Sequence, residues 1–146
     1  MIRVTVTTEA FDPGAELVAL STNGVGAVAS FVGFVRGDDG LAALTLEHYP
    51  AMTNAALHVL AEEATQRWAL AGVTLHHRIG RLVPGDAIVF VGTAAPHRAA
   101  ALEACAFLID RLKTDAPFWK RESYADGREL WIEPRPSDDS AAARWS

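Results

Sequence analysis

Lys113 and Lys120 are the only lysines in a chain of 146 residues; the other eleven of its 13 cationic Lys and Arg side chains are arginines. They bracket Thr114-Asp115-Ala116-Pro117-Phe118-Trp119 and are followed at once by Arg121 and Glu122. A lysine ammonium is a compact charge whose pKa falls on burial, so it serves as acid, base or nucleophile where an arginine cannot. A lysine in the last turn of a helix is also favoured by the helix dipole, which accounts for Lys113 alone but not for the pair. A second cluster is Pro96-His97-Arg98. It opens a helix whose free backbone N–H groups and positive dipole end attract phosphate or carboxylate. A third is Gly33-Phe34-Val35-Arg36-Gly37, which leaves Arg36 at a strand end where the chain turns and a side chain can reach a cleft.

Other candidates have plainer explanations. Glu47-His48-Tyr49-Pro50 reads as a hydrogen-bonded strand terminus. His76 and His77 are adjacent on a strand and so point to opposite faces, which does not suit one metal ion. Cys105 lies on an apolar helical stripe without a basic neighbour, as an inert core thiol would. With one cysteine there is no intramolecular disulfide and no cysteine cluster for zinc or iron–sulfur chemistry, so neither a metal nor a cofactor is expected. The chain carries no P-loop, dinucleotide fingerprint or G-x-S-x-G. A net charge of −5 and a pI near 5.5 disfavour nucleic acid or an anionic membrane as main partner, so any anion site is local. The amino terminus lacks the apolar core of a signal peptide, no apolar run is long enough to span a bilayer, and the single thiol suits a reducing compartment. A cytoplasmic protein is expected.

These groups must be held by a core, and half of the residues are apolar, enough for one domain over residues 1–146. Ile2, Val4 and Val6 alternate as in a half-buried strand, and Asp12-Pro13 starts a short helix ending near Leu20. Residues 27–35 and 41–48, separated by Gly37-Asp38-Asp39-Gly40, predict a hairpin. Thr53 is the expected N-cap of a helix carrying Leu57, Leu60, Ala61, Ala64 and Trp68. Strands follow over 73–79 and 87–94, then a second long helix with Leu102, Cys105, Ile109 and Leu112 on its core face. It stops before Pro117, with Lys113 in its last turn. A further strand is expected around 130–133, with Trp68 and Trp131 in the core and a loosely held tail from about residue 136. The order of elements predicts an α+β fold with two long helices and a mainly antiparallel or mixed sheet.

Taken together, Leu44-Thr45-Leu46-Glu47-His48-Tyr49-Pro50, Pro84-Gly85-Asp86-Ala87-Ile88-Val89-Phe90-Val91, His97-Arg98 and the segment from Leu112 to Glu122 resemble the large, catalytic subunit of molybdopterin synthase. The resemblance implies an α/β hammerhead fold and a cytoplasmic homodimer within a heterotetramer. A small ubiquitin-like subunit with a C-terminal glycine thiocarboxylate would donate sulfur, in two rounds, to cyclic pyranopterin monophosphate, forming the molybdopterin dithiolene. It further implies Lys113 and Lys120 as catalytic residues. Phe34, Val35, Arg36, His97, Arg98, Lys113, Lys120, Arg121 and Glu122 would form the substrate pocket, with Arg135 reaching in from the neighbouring protomer. A competing reading of the same cationic cleft is a non-catalytic adaptor domain that holds a partner's C-terminal carboxylate.

Overall fold

Residues Ala87–Ala95 are nearly all apolar, and a strand of that kind needs covered faces and a neighbour on each edge. In the computed structural model, which describes all residues except Asn23 and 133–135, this segment is central to a four-stranded sheet. Numbered in chain order, the elements are β1 (Ile2–Thr7), α1 (Pro13–Leu20), β2 (Ala27–Phe34), β3 (Leu41–His48), α2 (Pro50–Trp68), β4 (Gly72–Arg78), β5 (Gly80–Leu82), β6 (Ala87–Ala95), α3 (Arg98–Asp115), β7 (Phe118–Tyr124), β8 (Glu129–Ile132) and α4 (Pro136–Ala143). The first sheet has the order β1-β4-β6-β2, with β1 parallel to β4 and the other pairs antiparallel. The second, β5-β3-β7-β8, is antiparallel throughout. This is the mixed α+β architecture the sequence predicts.

The expected hairpin of β2 with β3 does not form. β2 supplies the second edge partner of β6, while β3 pairs with β5 and β7. Between them Asp39 and Gly40 take left-handed φ values of 56° and 80°, which send the chain from one sheet into the other. Helices α2 and α3 cover one face of the first sheet over a core that includes Leu57, Leu60, Phe107 and Leu108. Each such side chain, fully buried, contributes roughly 1.5–3 kcal/mol. On the other face, α1 packs Leu20 and Leu17 against Phe90, and its start is held by Asp12 Oδ1, which accepts from the Gly14 and Ala15 N–H groups.

Three local expectations are corrected. Helix α2 begins three residues before Thr53, at Pro50, and Thr53 is a fully buried residue of its first turn. On α3 the buried face runs through Ala101, Ala104, Cys105, Leu108 and Leu112, leaving Leu102 61% exposed, because alanines let the helix lie close on both β6 and α2. Trp131 is 59% exposed because β8 is an edge strand. The tail is also anchored rather than loose. Trp145 packs against Phe107 and Trp68 and donates its Nε1–H to Asp110 Oδ2 at 2.7 Å, and Arg144 bonds the same carboxylate at 2.8 Å. Among the described residues, no helix is long and apolar enough to cross a membrane.

Candidate active site

Alternation along β7 decides which side chains meet. Phe118, Lys120, Glu122 and Tyr124 share one face and line a cavity of about 660 Å³ between the two sheets. The intervening residues point the other way, where Trp119 meets Tyr49 and the Arg121 guanidinium lies 5.7 Å from the Trp131 ring centre. The C-terminal turn of α3 brings Lys113 to the same cavity, and its direction is set by neighbours tied elsewhere. Arg111 donates to Glu63 of α2 at 3.0 Å and to Asp115 at 2.8 Å, and so pins the end of the helix. The chain's two lysines, seven residues apart on different elements, therefore line one cavity.

The opposite wall comes from the end of β2. Val35, buried, donates its N–H to the Asp86 carbonyl at 2.9 Å and accepts from the Gly85 N–H at 2.9 Å. This pair of hydrogen bonds to the Pro84-Gly85-Asp86 turn fixes where Phe34 and Arg36 leave the sheet, and both border the cavity. The Arg36 side chain is 72% exposed and lies 3.5 Å from Asp38 across a solvated pair, which contributes little to stability and leaves the guanidinium free to turn to a ligand. The lining is not uniformly cationic: Asp38, Asp39, Glu122 and Asp138 stand among Arg36, Lys113 and Lys120. Glu122 Oε1 accepts from the Tyr124 hydroxyl at 3.0 Å, so it already has an internal partner.

Of the residues singled out in the sequence, the structure thus gathers Phe34, Val35, Arg36, Lys113, Lys120 and Glu122. Arg121 lies on the far face of β7. His97 and Arg98 stand at the start of α3, about 22 Å from Lys113 at the helical rise per residue. Arg135 lies outside the described residues. Several polar lining residues are not among those the sequence singles out for a pocket, Asp38, Asp39, Thr114, Tyr124 and Asp138 among them; the buried one is His77, 4% exposed at the end of β4. The signal was available in the alternation that places Val73, Leu75 and His77 on one face of a strand. His76, on the other face, meets Phe11 and Glu16, which separates the two imidazoles as alternation requires.

Cys105 is buried, with its Sγ 3.9 Å from the Val91 carbonyl, and burial pushes its thiol up to about 11. Native protein is therefore expected to resist an aromatic disulfide reagent at pH 8 and to react fully once denatured. Fast labelling of the folded chain would contradict this. The thiol is no plausible sulfur donor, so a reaction that moves sulfur through this cavity must import it.

Comparison with known proteins gives this geometry its context. The family model described as MoaE protein matches residues 6–115. The chain is 55% identical over 141 residues to the molybdopterin synthase catalytic subunit of Pseudomonas aeruginosa, covering 93% of each. It is similar in structure to the molybdopterin biosynthesis MoaE protein from Burkholderia ambifaria, with a TM-score of 0.85, 49% identity, and 99% and 98% of the two chains covered. It is also similar to a chain of molybdopterin synthase from Staphylococcus aureus, with a TM-score of 0.81, 29% identity, and 88% and 96% covered. A match of that extent, running through the strand that supplies Arg36 and the helix that supplies Lys113, means that the chain belongs to the MoaE protein family.

Proposed function

We propose that the chain is the catalytic subunit of a molybdopterin synthase, a sulfurtransferase of molybdenum cofactor biosynthesis, acting in the cytoplasm. The observation that carries this reading is the convergence of the only two lysines on one cavity, in a chain 55% identical to such a subunit. The substrate, cyclic pyranopterin monophosphate, is anionic through its phosphate, and the donor is the anionic thiocarboxylate at the tail of a small ubiquitin-like partner. A site that gathers both needs fixed cations. In each round the thiocarboxylate sulfur forms a C–S bond to a side-chain carbon of the pterin as a C–O bond there breaks, and water then cleaves the bond between that sulfur and the glycine acyl carbon, leaving a carboxylate on the partner and a thiolate on the pterin. Lys113 acts at the reacting carbonyl, moving a proton or stabilising the acyl intermediate, while Lys120 and Arg36 hold phosphate and pterin.

Mass spectrometry tests this directly. Mixed with thiocarboxylated partner and precursor, the chain should return a carboxylate-ended partner and a dithiolene pterin. Tail binding without consumption of thiocarboxylate would instead identify the non-catalytic adaptor.

His97 and Arg98 enter the site from a second copy of the chain. Among the described residues four carboxylates outnumber the three Lys and Arg side chains that line one protomer's cavity, and a residue about 22 Å away on the same helix cannot redress this. Arg135 is assigned to the same composite pocket, across the dimer, whereas Arg121, on the far face of β7, is left out of it. Arg98→Ala should then raise the KM for the pterin while leaving affinity for the partner unchanged. Mixing Arg98→Ala with Lys113→Ala chains should recover about a quarter of wild-type activity, since random pairing into two-fold dimers rebuilds one intact site in half of them. No recovery on mixing would place Arg98 outside the shared pocket.

A further inference from the structure

His77 is the buried polar side chain of the cavity wall to which the reaction has so far given no part. Its imidazole stacks on Phe118, with ring centres 4.0 Å apart and planes 21° apart, at the point where the chain passes from the end of α3 into β7. Its Nδ1 lies 2.7 Å from the Arg78 carbonyl oxygen. A carbonyl can only accept, so Nδ1 carries the proton and Nε2, the nitrogen on the other side of the ring, keeps its lone pair. His77 lines the cavity and its Nδ1 is committed to Arg78, so Nε2 is the ring nitrogen left for a ligand. Burial, opposed by the bond to Arg78 and reinforced by the charges of Lys120, Lys113 and His76, lowers the pKa to about 3, so this arrangement persists through the neutral range.

We propose that His77 is a substrate-contacting specificity residue, an acceptor of fixed tautomer whose Nε2 receives a hydrogen bond from an N–H or O–H donor of the bound pterin. The inference rests on the function proposed above, which supplies a ligand rich in such donors. The chemistry of the wall points the same way. The other polar side chains of this cavity are ammonium and guanidinium donors, carboxylates, and the hydroxyls of Thr114 and Tyr124, which already donate to Asp115 and Glu122. The cations answer the phosphate and the thiocarboxylate, and a carboxylate facing a neutral heterocycle would bring an uncompensated charge into contact with it. A neutral imidazole of fixed tautomer accepts one hydrogen bond without adding charge. A ligand that placed an acceptor there would leave two lone pairs opposed in a buried site, which costs more than a missing bond to water.

The test compares His77→Phe, which keeps the stack on Phe118 and removes the acceptor, with His77→Gln, which restores a neutral acceptor. Each is assayed as the assembled complex with thiocarboxylated partner and cyclic pyranopterin monophosphate. The Phe variant should raise the KM for the pterin about tenfold, the usual scale for one hydrogen bond, with affinity for the partner unchanged. The Gln variant should recover most of that loss. Equal pterin KM in wild-type and Phe complexes would overturn the proposal. A wild-type complex that converts no precursor would instead overturn the function on which it rests. Where substitution disturbs folding, nitrogen NMR of labelled histidines in the wild-type complex decides: the expected result is a neutral Nδ1–H form whose Nε2 signal moves when the pterin is added. An Nε2 signal unmoved by saturating pterin would refute the contact.

Discussion

Lys113→Ala is expected to lower sulfur transfer at least 100-fold while the protein keeps its fold and still binds the partner's tail. The lysine is exposed at the last turn of α3, so truncation removes no core packing. The stability at risk is the interaction of a cation with a helix C-terminus, about 0.3–1 kcal/mol. The chemical step loses more. Displacing sulfur from a carbonyl builds charge on oxygen and requires a proton to move, and a positioned acid–base group or fixed charge at such a centre is worth roughly 10²–10⁴ in rate. Lys113→Arg separates the two roles. It keeps the charge but replaces the compact ammonium with a planar guanidinium that does not exchange its proton as an amine does, so it should be nearly as impaired as the alanine variant. Single-turnover conversion measured by mass spectrometry reads both effects. A Lys113→Arg chain that worked at the wild-type rate would reduce the lysine to a positive charge. A Lys113→Ala chain that did so would move the reacting centre elsewhere.

That this residue stood out in the sequence, and that others did not, has a physical reason. Residue type is local information. Two lysines among eleven arginines are visible without knowing where the chain goes, and a Pro-Phe-Trp segment between them limits how far apart they can lie. The short helix after Asp12-Pro13 and the end of α3 before Pro117 are equally local, because capping and proline chemistry act within a turn. Pairing is different. β2 and β3 each look like a strand, and the turn between them looks like a hairpin turn, but a strand's partner is chosen by burial across the whole sheet. Here the apolar β6 takes β2. His97 and Arg98 have the right chemistry for an anion, and the sequence already sets them and Lys113 at opposite ends of one helix, but no spacing rule reveals the second chain that the proposed shared pocket requires. Alternation on the strand argues against His77 as a metal ligand shared with His76, but its place on the cavity wall depends on the packing of the second sheet's Phe118 against the first sheet.

The same dependence on close approach makes Gly26→Ala the substitution expected to cost the fold most. Gly26 lies just before β2, donates its N–H to the Ala95 carbonyl at 3.0 Å, and sits where a Cβ would fall 2.0 Å from the Pro96 carbonyl oxygen and 3.0 Å from its carbon. Both atoms are backbone, so no side chain can swing away. Relief requires the start of β2 to move off the end of β6, which breaks that hydrogen bond, at about 1 kcal/mol, and adds overpacking strain of roughly 1–3 kcal/mol. A total near 3 kcal/mol corresponds to a fall in Tm of about 10 °C for a domain of this size. Gly127→Ala is the control. It has a φ of 91° but nothing within 4 Å of a new Cβ, so it pays only the left-handed backbone penalty of about 1–2 kcal/mol. The Gly26 effect also reaches the proposed function, because Pro96 directly precedes His97 and Arg98. Protein recovered below its lowered Tm should therefore show a raised KM for the pterin, in the manner of Arg98→Ala, with thiocarboxylate chemistry at Lys113 intact. Calorimetry and steady-state kinetics on one preparation read both consequences. A Gly26→Ala chain as stable as wild type would mean that β2 and the Pro96 carbonyl can separate without cost.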